Sequence, residues 1–116
     1  MNVFMIYNLM YLVLEELNEE KPIENLSNYL SDANPYIWEG EMSGDPLVYN
    51  QFKEAYLKGE NNAEDYGYAF ICEYLRNLDP YYGDIYSVFV SLTKEEYVDT
   101  CEHIISDQPN ILKKIN

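Results

Sequence analysis

Basic residues are scarce in this chain. Seven Lys and Arg stand against 21 Asp and Glu, for a formal net charge of -14. Nucleic-acid binding rests on Lys and Arg displacing counterions from phosphates, so a domain of this charge is expected to be repelled by phosphate backbones. Anionic membrane surfaces are disfavoured for the same reason. Histidine occurs once, as His103, which limits acid–base and metal chemistry. No Gly-x-Ser-x-Gly elbow or comparable nucleophile motif is present. Cysteine occurs twice, as Cys72 and Cys101, both on expected apolar helix stripes. With no export signal in view, two such thiols read as reduced, buried core residues.

Long apolar runs are also missing. The one candidate, residues 3–14, is interrupted by Asn8 and runs straight into Glu15 and Glu16. No Lys or Arg precedes it and no small-residue cleavage site follows, so a signal peptide is not expected. It is too short to span a bilayer. The expectation is a buried helix of a cytoplasmic protein.

What is present is a hydrophobic fraction of 47% over 116 residues, enough for one domain with a real core. The pattern predicts an all-α, single-domain bundle of five to six short helices, residues 1–116, around an apolar N-terminal helix. That first helix covers about residues 2–18. It is apolar on nearly every face, as expected of a central helix or of a homodimer seam. A second helix is expected from Pro22 to about Asn34, with Ile23, Leu26, Tyr29 and Leu30 as its stripe. A third opens with Asp45 as N-cap and Pro46 as first helical residue, and buries Val48, Phe52, Ala55 and Tyr56. A fourth is expected over residues 63–77, after a turn at Asn61-Asn62. Residues 84–92 suit a strand by composition, but no partner strand exists, so a short helix is expected there. The last helix opens with a capping box, Thr93 to Glu96. Ile111, Leu112 and Ile115 suggest a final short turn.

Candidate chemistry is thin. Asp99 and His103 lie one turn apart and can meet, as a base with its orienting partner or, more simply, as a surface pair. The acidic stretch at residues 38–45 lacks the spacing of a calcium loop. No cofactor or metal is expected. Glu15, Glu16, Glu19 and Glu20 crowd the C-terminal end of the first helix, where each opposes the helix dipole by about 0.3–1 kcal/mol if exposed.

Tyrosine is abundant, at 13 residues. Tyr7, Tyr11, Tyr29, Tyr56, Tyr74 and Tyr97 fall on or near apolar stripes. Others fall in two aromatic loops. Tyr36, Trp38 and Glu39 share the first. Asp79, Tyr81, Tyr82 and Asp84 share the second. Tyrosine offers a large rigid contact surface at low entropic cost, and cations sit well on aromatic faces. These seven residues are the candidate partner-binding surface, and a basic protein is the partner expected for them.

Two resemblances bear on this. Asp32-Ala33-Asn34-Pro35-Tyr36-Ile37-Trp38, followed by residues 43–52 from Ser43 to Phe52, is similar to a pattern in uncharacterised small acidic bacterial proteins, which implies a bacterial cytoplasmic setting. Asp79-Pro80-Tyr81-Tyr82 resembles the acidic residue and Tyr-Tyr pair of colicin-nuclease immunity proteins, small acidic helical inhibitors. In that family the pair precedes a proline, whereas here Pro80 comes first. The resemblance implies a type of surface, with Tyr81 and Tyr82 as its anchors. The expected function is therefore a non-enzymatic protein-binding module of immunity or antitoxin type. The alternatives are a DNA mimic and an orphan domain acting through a homodimer of the first helix.

Overall fold

Asn2 starts the first helix. Its backbone is extended and its side-chain oxygen accepts the Met5 N–H at 3.0 Å, which satisfies one of the exposed donors of the first turn. In the computed structural model, which describes residues 2–59 and 64–108, this helix, α1, spans Val3–Glu20. Its apolar residues from Phe4 to Leu14 are buried apart from Met5, and only Val3, Met5 and Leu17 keep partial exposure. Helices α2 (Glu24–Ala33), α3 (Pro46–Lys58), α5 (Ile85–Phe89) and α6 (Lys94–Asp107) pack around it. Helix α4 (Tyr68–Arg76) closes the bundle against α3, α5 and α6. A single 3-10 turn at Pro80–Tyr82 lies against α2. The fold is thus an all-α bundle about an apolar N-terminal helix, with no strand among the described residues. No helix among them is long and apolar enough to cross a membrane.

The start signals operate as their chemistry requires. Asp45 accepts the Leu47 N–H at 3.1 Å ahead of Pro46. Thr93 and Glu96 exchange bonds of 3.1 and 3.0 Å as a full capping box. Residues 84–92 contain the short helix α5, opened by Asp84, whose carboxylate takes the Ser87 N–H.

Two helices begin later than their sequence suggests. Pro22 precedes α2 rather than opening it. Ile23 is extended and gives its N–H to Asn18 Oδ1 at 2.9 Å, so a side chain of α1 fixes the entry to α2. Helix α4 begins at Tyr68 because Tyr66 and Gly67 are left-handed, at φ 51° and 81°. Asp65 holds that turn by accepting the Gly67 and Ala69 N–H groups. Gly67 is required twice over, since a Cβ there would lie 2.5 Å from Ile6 Cγ2. On α3 the inner face is Val48, Tyr49 and Phe52, while Ala55 faces solvent. Cys101 is buried and Cys72 only partly so, and both are free thiols. The expected turns at Asn61-Asn62 and at 111–115 lie outside the described residues.

The core is built from rings. Phe52 meets Tyr7, Phe70 and Tyr74 edge-on at 5.0, 5.1 and 4.9 Å. Tyr49 packs edge-on against Phe4 and Tyr7 at 5.2 and 5.0 Å. Each buried hydroxyl then needs an acceptor. Tyr7 donates to the Ala33 carbonyl at 2.6 Å, joining α1 to the end of α2. Tyr29 and Tyr74 share a bond of 2.8 Å between α2 and α4. Tyr97 donates to the Tyr66 carbonyl and Tyr68 to that of Leu92. The Tyr49 hydroxyl is the exception, buried with no hydrogen-bond partner among the described residues.

That contrast gives a stability prediction. Tyr7→Phe should cost about 1–2 kcal/mol in urea unfolding, because it strands a buried carbonyl. Tyr49→Phe should be neutral or stabilising. Alkaline pH supplies a second prediction. Burial pushes the Tyr74 and Tyr68 hydroxyls from their ordinary 10.0 up to about 12, and raises Tyr7, Tyr29 and Tyr97 as well. The folded state therefore holds protons that the unfolded chain releases. Stability should be fully present below pH 10.0 and fall as pH climbs through about 12, with tyrosinate absorbance rising in step with unfolding.

Candidate functional site

Loops 34–45 and 79–84 both fasten to α2, and Asp32 near its C-terminal end takes a bond from each. Its backbone carbonyl accepts the Asp45 N–H at 2.8 Å. Its carboxylate accepts the Tyr82 hydroxyl at 2.7 Å. The first loop can approach this closely only because Gly44 has no side chain, as a Cβ there would lie 2.7 Å from the Ser31 carbonyl oxygen.

Loop 34–45 is held from within. The Asn34 side chain accepts the Tyr36 N–H at 2.8 Å. The Tyr36 ring packs edge-on against Tyr11, and its hydroxyl donates to Asn8 Oδ1 at 2.9 Å. Asn8 is a fully buried polar residue of α1, and this bond gives it a purpose. Ser43 is buried too, donating to the Asp45 carbonyl and accepting the Tyr49 N–H. Trp38 donates from Nε1 to the Gly44 carbonyl at 3.3 Å and leaves its ring 51% exposed.

Loop 79–84 is held by short polar caps. Asp79 Oδ1 accepts the Tyr81 N–H at 2.9 Å, and Pro80 supplies the fixed φ that begins the turn. The Tyr82 ring meets Tyr29 edge-on at 5.2 Å, and Tyr81 meets Tyr82 at 5.1 Å. Tyr81 itself is 70% exposed. Burial, the bond to Asp32 and the charges of Asp32 and Asp45 all raise the Tyr82 hydroxyl's pKa, so it stays a neutral donor. Asp84 lies at the surface, and the hydroxyl and N–H of Ser87 lower its pKa.

The seven residues picked out by sequence thus divide by role. Tyr81, Trp38 and Glu39 present themselves to solvent. Asp79 and Asp84 are exposed carboxylates that also cap helical turns. Tyr82 and Tyr36 are ties, each holding its loop to the bundle through its hydroxyl. Two exposed residues belong with the surface and were not apparent: Ile37, 59% exposed, and Leu47, 60% exposed. Leu47 sits one position off the buried stripe of α3, a signal that was available. Ile37 gave none. Asp32, which links the loops, was recognisable only from the fold.

Other candidate chemistry is not assembled. His103 Nδ1 and Asp99 Oδ2 lie 3.5 Å apart with both side chains exposed, as an ordinary helix-surface pair. Among the described residues no three His, Cys, Asp or Glu side chains converge as metal ligands. No family model matches the chain, and neither does any curated protein or solved structure.

The tie between Asp32 and Tyr82 is testable by a double-mutant cycle. Asp32→Ala and Tyr82→Phe should each lower stability, with a coupling energy of about 1 kcal/mol in chemical denaturation. Additive effects would show that the bond contributes nothing.

Proposed function

We propose that this chain is a non-enzymatic protein-binding module that masks a basic partner, in the manner of an immunity protein or antitoxin. One observation carries the reading. Large apolar side chains stand in solvent among carboxylates: Ile37, Trp38 and Tyr81 on loops that the bundle holds in place, and Leu47 on the first turn of α3. Residues 22–52 contain Glu24, Asp32, Glu39, Glu41 and Asp45 and not one Lys or Arg. Exposed Trp and Tyr are the residue types that anchor protein interfaces, and a preformed loop loses little entropy on binding. The -14 net charge steers a cationic protein toward them.

Helix α1 bears on the homodimer alternative. Its apolar surface is already covered by its own chain, which favours its role as a core helix over that of a seam.

The test is capture of partners by the immobilised chain at low and high salt, followed by affinity measurement with the variants. The captured protein should be basic, and its association rate should fall steeply as salt rises. Tyr81→Ala and Trp38→Ala should each weaken binding by about 2 kcal/mol, or about thirty-fold, with circular dichroism and melting unchanged. Tyr81 is a cleaner probe than Tyr82, whose removal also breaks the tie to Asp32. A partner bound equally well by both variants would remove this surface from the function.

A further inference from the structure

A concave feature adjoins loop 79–84 at Asp79. Helices α3 and α4, which share the ring contacts of Phe52 with Phe70 and Tyr74, border an open groove of about 620 Å³. Phe70, Tyr74 and Leu78 supply its apolar part. Phe70 and Tyr74 are set by edge contacts with Phe52 at 5.1 and 4.9 Å, so the groove is preformed. Gln51 and Ala55 line the α3 side, one turn apart. Each wall is about two helical turns, or roughly 11 Å, long.

The charged residues among the groove's described lining are acidic, and one of them, Glu73, is paired with Arg76 at 3.3 Å. Glu73 and Asp79 both line the groove, and no Lys or Arg does among the described residues. Asp79 spends one carboxylate oxygen on the Tyr81 N–H, and the other accepts no hydrogen bond among the described residues. Glu73 is engaged by Arg76 and by Asn77 on α4, which holds its carboxylate in place. Asp79 also opens the turn that carries Tyr81, so the groove runs into loop 79–84.

We propose that this groove takes an amphipathic, Arg- and Lys-bearing helical segment of the basic partner. Two helical turns of apolar side chains would lie on Phe70, Tyr74 and Leu78, with cationic side chains reaching Asp79 and Glu73. This is the helix-in-groove mode, in which the apolar face gives affinity and the flanking charges fix orientation. The inference rests on the reading that the partner is basic, and adds where and in what form part of it docks.

Fluorescein-labelled peptides test it by anisotropy at low salt. One is an amphipathic helix of Leu and Arg. The second has the same composition scrambled so that the leucines share no face. The amphipathic peptide should bind at least about tenfold more tightly than the scrambled one. Ala55→Arg and Gln51→Arg, both at exposed helical positions, should each weaken it by about tenfold or more. Ser106→Arg on α6, with the same change in net charge, should not, and Tyr81→Ala should leave peptide binding within about twofold. Equal binding of the two peptides, or no effect of the groove variants, overturns the proposal. The two readings fail separately. A captured partner that loses affinity in Tyr81→Ala but not in Ala55→Arg would sink the groove and keep the loop surface. A captured basic partner that loses affinity in Ala55→Arg but not in Tyr81→Ala or Trp38→Ala would do the reverse.

Discussion

A buried tyrosine hydroxyl must find an acceptor, and that requirement determines how the helices of this chain can sit. A core of leucine and phenylalanine can slide at small cost, since its contacts are non-directional. Here the rings of Tyr7, Tyr29, Tyr74, Tyr68 and Tyr97 bury apolar surface while their hydroxyls name one partner each. Those partners sit on other elements: Ala33 on α2, the facing hydroxyl between α2 and α4, the turn at Tyr66, and Leu92 ahead of α6. The hydrogen bonds add little net energy individually, but each is costly to break without replacement. They convert a collapsed set of helices into one arrangement.

The same chemistry extends outward to the candidate surface. From Phe52 an edge contact leads to Tyr74, a hydroxyl bond joins Tyr74 to Tyr29, and edge contacts lead on to Tyr82 and finally to Tyr81 in solvent. The exposed ring is therefore the last member of a series rooted in the core. Tyr36 makes the corresponding link on the other loop, through Asn8 of α1. Carboxylates do parallel work on the backbone. Asp45, Asp79 and Asp84 each satisfy a helical N–H group while adding to the acidity of the surface. Part of the chain's charge is thus placed where folding benefits from it. The cluster ending α1 is different: burial and its acidic neighbours Glu20, Glu19 and Glu15 raise the pKa of Glu16.

Most of the fold was legible because its signals are local. Asp45-Pro46 and Thr93 to Glu96 specify helix starts through atoms within one turn, so neighbouring residues suffice to read them. The misread starts depend on contacts outside the helix they open. Asn18 of α1 holds Ile23 extended, and Ile6 leaves no room for a Cβ at Gly67. The site follows the same division. The exposed Tyr81 and Trp38 could be suspected from their turn-rich surroundings. The distinction between Tyr81 and Tyr82, adjacent and identical in type, could not, because it depends on Tyr29 and Asp32 of another helix. Ile37 and the α3–α4 groove likewise exist only once the chain is folded.

Asp32 places an unusual demand on how such a surface would be mapped. It holds one loop through its carbonyl and the other through its carboxylate, yet it is itself only partly exposed. The carbonyl tie survives any substitution that keeps α2 helical, whereas the carboxylate tie needs an acceptor in the place of Oδ2. If Tyr81 meets a partner as proposed, a genetic screen for lost binding would return Asp32 beside Tyr81, although only Tyr81 need touch the partner. Crosslinking, which reports proximity alone, would then return Tyr81 without Asp32. Agreement between two such maps should be expected only where a residue both supports and contacts, and their disagreement at Asp32 would itself outline the scaffold beneath the interface.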